Sequence, residues 1–252
     1  MYNKYSCKHI PLTEVFAMNR KKLFSVAAIM LCVALFVILM VKSTEKITLN
    51  TSAEVQEKKP NLIIDAGHGG EDGGAVVGDV LEKDINLDIS KDTADLLKLF
   101  GFDVSMTRNS DDALTSDGKD VKQRKYNDMK MRLDMYNAST ENVIISIHQN
   151  KFSNASSHGA QVFYSPNNDN SLRLAECMRN SVVSMIQPDN DRECKAAGKE
   201  IYLLKNTKNP AVIVECGFLS NQKERKLLLD KNYQKKMALA VTAGLLDYYH
   251  GN

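Results

Sequence analysis

Several familiar chemistries are missing from this 252-residue sequence. No Cys-x-x-Cys pair occurs among Cys7, Cys32, Cys177, Cys194 and Cys216, which argues against a cysteine-based zinc site. Only the last three cysteines follow the one long apolar run, an odd number and no disulfide framework; a single Cys177–Cys194 disulfide is the pairing that can be drawn. A concentrated basic surface is missing too. Net charge is +2, and residues 1–22 hold Lys4, Lys8, Arg20, Lys21 and Lys22 against Glu14, a net +4, so the remainder carries −2. A near-neutral body argues against nucleic acid as the main partner. There is no internal repeat, no long low-complexity tract and no wall-binding repeat. Ser146 lies near His148, but nothing resembles a nucleophile elbow, which argues against a serine hydrolase.

What is present begins with one apolar run. Residues 23–41, LFSVAAIMLCVALFVILMV, contain Ser25 as their single polar residue. As a helix they would span roughly 28 Å, close to the hydrocarbon core of a bilayer. Arg20-Lys21-Lys22 in front should stay cytoplasmic and leave the body outside. The run is expected to be a signal-anchor rather than a cleaved signal, because Met40-Val41-Lys42-Ser43 offers no small-x-small cleavage site. Met18 also opens a natural export signal. Residues 1–22 then form a cytoplasmic basic segment, 23–41 the transmembrane anchor, 42–60 a polar linker and 61–250 the catalytic domain.

From Asn61 onward, short apolar runs alternate with amphipathic stretches. Strands are expected at 62–64, 102–107, 143–147, 160–164, 202–204 and 211–214. Helices are expected at 83–100, 121–139, 171–186 and 231–249, with Asn221 and Glu224 capping a short one before the last. The pattern implies a three-layer α/β domain with a largely parallel twisted sheet. Ligands in such sheets gather beyond the carboxyl ends of the strands.

Three of the apolar runs end in reactive groups: Asp65-Ala66-Gly67-His68, Ser146-Ile147-His148-Gln149-Asn150 and Val214-Glu215-Cys216-Gly217. Two histidines and carboxylates at one sheet edge suit zinc. The glycine-dense loop around His68 lacks the lysine and Ser/Thr of a phosphate-binding loop. Residue chemistry alone leaves the third ligand open among Glu71, Asp72, Asp79, Glu82 and Asp84. His158 and His250 sit in polar or terminal segments and read as solvent-exposed; Cys216 reads as a packed small residue.

Four motifs in order, Asp65-Ala66-Gly67-His68-Gly69-Gly70, Leu81-Glu82-Lys83-Asp84, Ser146–Asn150 and Val214–Asn221, resemble those of the type-3 N-acetylmuramoyl-L-alanine amidases over residues 60–250. The resemblance implies a zinc ion held by His68, Glu82 and His148, with Glu215 as the catalytic carboxylate. It implies cleavage of the amide joining N-acetylmuramic acid to L-alanine of the peptidoglycan stem peptide. Thr107-Arg108 and Arg132 near Asn137 also match the family pattern, where structural ion pairing is the expected role. The charged stretch from Asn109 to Lys125 is longer than in many members. A single domain behind an anchor is similar to the spore-cortex amidases of endospore formers. That likeness implies action in the forespore intermembrane space, muramic-δ-lactam formation together with a separate peptidoglycan deacetylase, and leaves room for an accessory or activating protein. The competing readings are a zinc carboxypeptidase acting within the stem peptide and a non-catalytic wall-binding protein.

Overall fold

The computed structural model describes residues 30–32, 35–36 and 61–251. Residues 30–32 and 35–36 are helical. The rest of the expected anchor, the basic segment and the linker lie outside the described residues. Among the described residues no helix is long and apolar enough to cross a membrane.

The body follows the order β1 (Leu62–Ala66), β2 (Val76–Val77), β3 (Val80–Leu81), α1 (Glu82–Leu99), β4 (Val104–Met106), α2 (Val121–Tyr136), β5 (Val143–Asn150), β6 (Gln161–Tyr164), α3 (Asn170–Met185), β7 (Lys195–Ala196), α4 (Tyr202–Asn206), β8 (Ala211–Phe218), α5 (Gln222–Leu228) and α6 (Lys231–His250). One six-stranded sheet runs β4-β1-β5-β8-β6-β7. It is parallel except where β6 meets β8.

The central strands are continuous apolar runs because both faces are covered. Leu62, Ile64, Ile145 and Val212 pack in one core with residues of α1, α3 and α6. Their neighbours Ile63, Ile144 and Ile213 face the other way, onto Tyr136 of α2 and Leu203 and Leu204 of α4. This period-two split makes the three layers. It also sends Asp65, Ser146 and Glu215 to the α2–α4 side, since each lies two residues from Ile63, Ile144 or Ile213.

The expectation of a strand at Tyr202-Leu203-Leu204 is corrected: the segment is the short helix α4, with Lys205 N–H donating to the Ile201 carbonyl. A three-residue apolar run has no period to separate strand from helix, and β6 already occupies the place beside β8. The Cys177–Cys194 pairing that the sequence left open is not formed: both thiols are free. Asn221 does cap α5, accepting from Lys223 and Glu224 N–H groups. Glu224 instead turns back to accept from Phe218 and Gly159 N–H groups, tying the end of β8 to the chain entering β6.

Candidate metal centre and catalytic cleft

The site starts from a carboxylate with no access to solvent. Asp65 near the end of β1 is fully buried. Its Oδ1 accepts from Thr107 Oγ1 at 2.7 Å and from the Arg132 guanidinium. Its Oδ2 accepts from Tyr136 OH at 2.7 Å and Ser146 Oγ at 2.5 Å. Burial works against the charge, yet Arg132 and the Ser146 hydrogen bond hold the Asp65 carboxyl far below the usual range. Arg132, also buried, donates onward to the carbonyls of Ala66 at 2.9 Å and His68 at 2.7 Å, while its Nε pairs with Asp128. Arg108 donates to the carbonyls of Ala66, Gly67 and Lys83. Two guanidinium forks thus fix the backbone that carries His68.

His68 itself has φ of 63°, a left-handed conformation that non-glycine residues rarely adopt. Its neighbours are glycines for a steric reason. A Cβ on Gly67 would lie 2.2 Å from the His148 ring, and one on Gly74 would lie 2.5 Å from a Glu82 carboxylate oxygen.

Glu82 opens α1, where the helix dipole favours a negative charge. Its Oε1 lies 2.9 Å from His148 Nδ1 and 3.3 Å from His68 Nε2. It also accepts from the Gln149 and Ala75 N–H groups. Burial would raise its pKa, but the two histidines pull it far below the usual range. Asp72 accepts from His68 Nδ1 at 2.7 Å and so leaves Nε2 facing Glu82. Burial alone would lower the His68 pKa; Asp72 and Glu82 instead raise it to about 10.

The structure separates the acids that the sequence left open. Glu82 joins His68 and His148 in a cluster whose ligand atoms lie within 4.8 Å of one another. Asp72 orients His68 from the opposite side, Glu71 pairs with Arg124 on the surface, and Asp79 and Asp84 are exposed. Two imidazoles and a carboxylate suit a divalent zinc-like ion. The two separations from Glu82 Oε1, 2.9 Å to His148 and 3.3 Å to His68, suit it too, since bonds near 2 Å in a tetrahedron place ligands about 3.3 Å apart.

Glu215 sits beside His148 in the β5–β8 ladder. Its Oε2 is buried and has no hydrogen-bond partner. Burial pushes its pKa up to about 7, with His148 opposing and Glu82 adding to the rise. Glu215, His68 and His148 line one cavity of about 290 Å³, closed on its far side by Met129 of α2 and by Ile201 and Tyr202 at α4.

Two supports escape a reading by motif. Asn86, one turn beyond Glu82, donates to Glu82 and to the Gly67 carbonyl, and Gln149 donates to Asn86. The i, i+4 spacing from Glu82 is the one signal that marks Asn86. Cys216 is fully buried with its thiol pKa pushed up by burial, and His158 and His250 are exposed.

A mostly parallel six-stranded sheet with a His-Glu-His cluster at its strand ends has the ligand set of a metal-dependent enzyme. The N-acetylmuramoyl-L-alanine amidase family Amidase_3 matches residues 62–247, and the chain belongs to that family. The germination-specific N-acetylmuramoyl-L-alanine amidase of Bacillus subtilis is 35% identical over 75% of this chain and 79% of its own length. The CwlD amidase of Clostridioides difficile, solved in complex with the GerS lipoprotein, superposes with a TM-score of 0.73 at 38% identity, covering 77% of this chain and all of that one. The amidase AmiC2 of Nostoc punctiforme superposes with a TM-score of 0.61 at 30% identity, over 76% of this chain and 97% of that one.

Proposed function

We propose that the chain is a zinc-dependent N-acetylmuramoyl-L-alanine amidase that releases stem peptides from peptidoglycan. The observation that carries this reading is a buried, partnerless carboxylate oxygen on Glu215 in the cleft lined by His68 and His148, which cluster with Glu82. His68 Nε2, Glu82 Oε1 and His148 Nδ1 would hold the ion. When bound, zinc supplies Lewis-acid polarisation of the amide carbonyl and makes water a nucleophile at neutral pH. Glu215 takes the proton of the attacking water and delivers it to the departing amine of L-alanine. Asp72 keeps His68 in the tautomer that presents Nε2.

The germination-specific relative supports action on the peptidoglycan of the spore; cortex as the substrate and muramic-δ-lactam formation with a separate peptidoglycan deacetylase rest on the sequence resemblance alone. The solved lipoprotein complex of the Clostridioides difficile relative supports an accessory protein for this chain as well. The apolar run at 23–41 supports a membrane-anchored catalytic domain outside the cytoplasm; placement in the forespore intermembrane space rests on the likeness to spore-cortex amidases.

Mass spectrometry of peptidoglycan fragments tests the reaction. Zinc-loaded protein is expected to free peptides beginning with L-alanine and to leave the sugars intact; Glu215→Gln is expected to lower the rate at least a hundredfold. Fragments that keep the muramoyl–alanine bond but lose a terminal amino acid would make it a carboxypeptidase instead.

A further inference from the structure

The cleft does not end at Glu215. In the antiparallel β8–β6 ladder Glu215 faces Gln161, so their side chains share one side of the sheet. Two residues on, Phe163 pairs with Lys195 of β7. The order β1, β5, β8, β6, β7 therefore lays His68, His148, Glu215, Gln161 and Lys195 across successive strands. Beyond Glu215 the surface forms a second groove of about 340 Å³, walled by Phe152, Phe163 and Phe218. Arg192 and Lys195 stand on it.

These two cations lack carboxylate partners among the described residues. The Arg192 guanidinium lies 4.6 Å from the Phe218 ring centre, and its Nε donates to the His158 carbonyl. Those contacts fix the group without neutralising it. Lys195 is exposed and makes no ion pair among the described residues. Gln161, only 2% exposed, donates to the Glu193 carbonyl at 2.6 Å and so pins the segment carrying both cations. Its Oε1 is buried and accepts no hydrogen bond among the described residues.

We propose that this groove is the stem-peptide subsite, with Arg192 and Lys195 receiving a free carboxylate of the peptide. The proposal rests on the amidase reading above. The leaving side of the scissile amide must run away from the ion, and Glu215, the proton donor to that side, pairs across the β8–β6 ladder with Gln161, which lines this groove. Crossing two strands covers roughly 10 Å, or about three residues of extended peptide. The carboxylate read is therefore two or three residues beyond the scissile bond. The Phe152, Phe163 and Phe218 walls flank the peptide backbone.

The test uses the full-length chain and two synthetic muropeptides, one with free stem carboxylates and one with those groups converted to primary amides. Calorimetry on the non-cleaving Glu215→Gln protein is expected to show the free-acid ligand binding about tenfold more tightly at low salt. Adding Lys195→Glu is expected to remove that preference, while Lys235→Glu on the opposite, α6 layer preserves it. In the cleaving protein Lys195→Glu is expected to raise KM for the free acid with kcat little changed. Equal affinity for the two ligands, or an equal loss for both in Lys195→Glu, overturns the subsite. If the wild-type chain releases no peptide beginning with L-alanine, the amidase reading fails, and the calorimetric comparison still decides the groove.

Discussion

Glu215 shows at the scale of one residue how function works against stability. Its unfolded pKa is that of an ordinary glutamate, near 4.5, while burial in the metal-free fold raises it to about 7. A raised acid contributes stability that is complete below the unfolded value and is lost as pH climbs through the folded one. Metal-free protein should therefore weaken between about pH 4.5 and 7.5. Glu215→Gln removes the charge that burial opposes. It is expected to stabilise the metal-free protein by about 3 kcal/mol at pH 8 and by almost nothing at pH 4, while lowering turnover at least a hundredfold. Urea titrations of both proteins at the two pH values check this; equal stabilities at pH 8 would count against the buried, partnerless carboxylate.

His68 is the second residue whose chemistry has a measurable sign. With its pKa raised to about 10, it is protonated at neutral pH in the metal-free protein. A metal can bind only by displacing that proton, so zinc affinity should rise about tenfold per pH unit between pH 6 and 9. Asp72→Asn removes both the orienting acceptor and a cause of the raised pKa. It should weaken zinc binding about 10- to 100-fold and reduce the protons released per zinc. Calorimetry in buffers of differing ionisation enthalpy reads both quantities together.

At the scale of elements, the buried Asp65–Arg132 pair joins β1 to α2 and, through carbonyls, to the His68 loop. A lysine at 132 keeps the charge but loses the planar fork that serves Asp65, Ala66, His68 and Asp128 together. Arg132→Lys should destabilise the fold by about 2–4 kcal/mol and loosen zinc binding, because the His68 carbonyl loses its donor. A denaturant melt with a parallel zinc titration measures both. Because the folded Asp65 pKa is depressed, its stabilisation is present above the unfolded value near 3.8 and declines as pH falls below it.

The same element scale explains what the sequence could convey. Strands β1, β5 and β8 were legible because each is an apolar run ending in a polar motif, and helices α1, α3 and α6 because their apolar faces recur with helical period. The small elements were not. The β2–β3 hairpin and β7 have two residues per strand, and α4 has five, too few for any period to register. Their places depend on which edge of β8 was already filled. In the site, spacing alone could not separate Glu82 from Asp72, because both lie within one loop of His68. The structure assigns them opposite sides of one imidazole ring.

For the whole molecule, the question is whether the metal holds the fold together or is held by it. The body has a continuous apolar core on both sides of its sheet, and none of the cluster residues belongs to it. Without an ion, Glu82 is already satisfied by two imidazoles and two backbone N–H groups, and the cost of the partnerless Glu215 carboxylate is limited by its raised pKa. Chelation should therefore leave a folded protein. Zinc at a hundred times its Kd adds about 2.7 kcal/mol by mass action. For a domain of this size that is a rise in Tm of roughly 5–10 °C, growing with zinc concentration. A calorimetric scan after chelation and dialysis should show one cooperative transition at the lower temperature, with the far-UV circular dichroism unchanged at 25 °C. Loss of that transition would mean that the ion is part of the core, as in a zinc finger, and would recast the His68 loop as a folding element rather than a site built on a finished sheet.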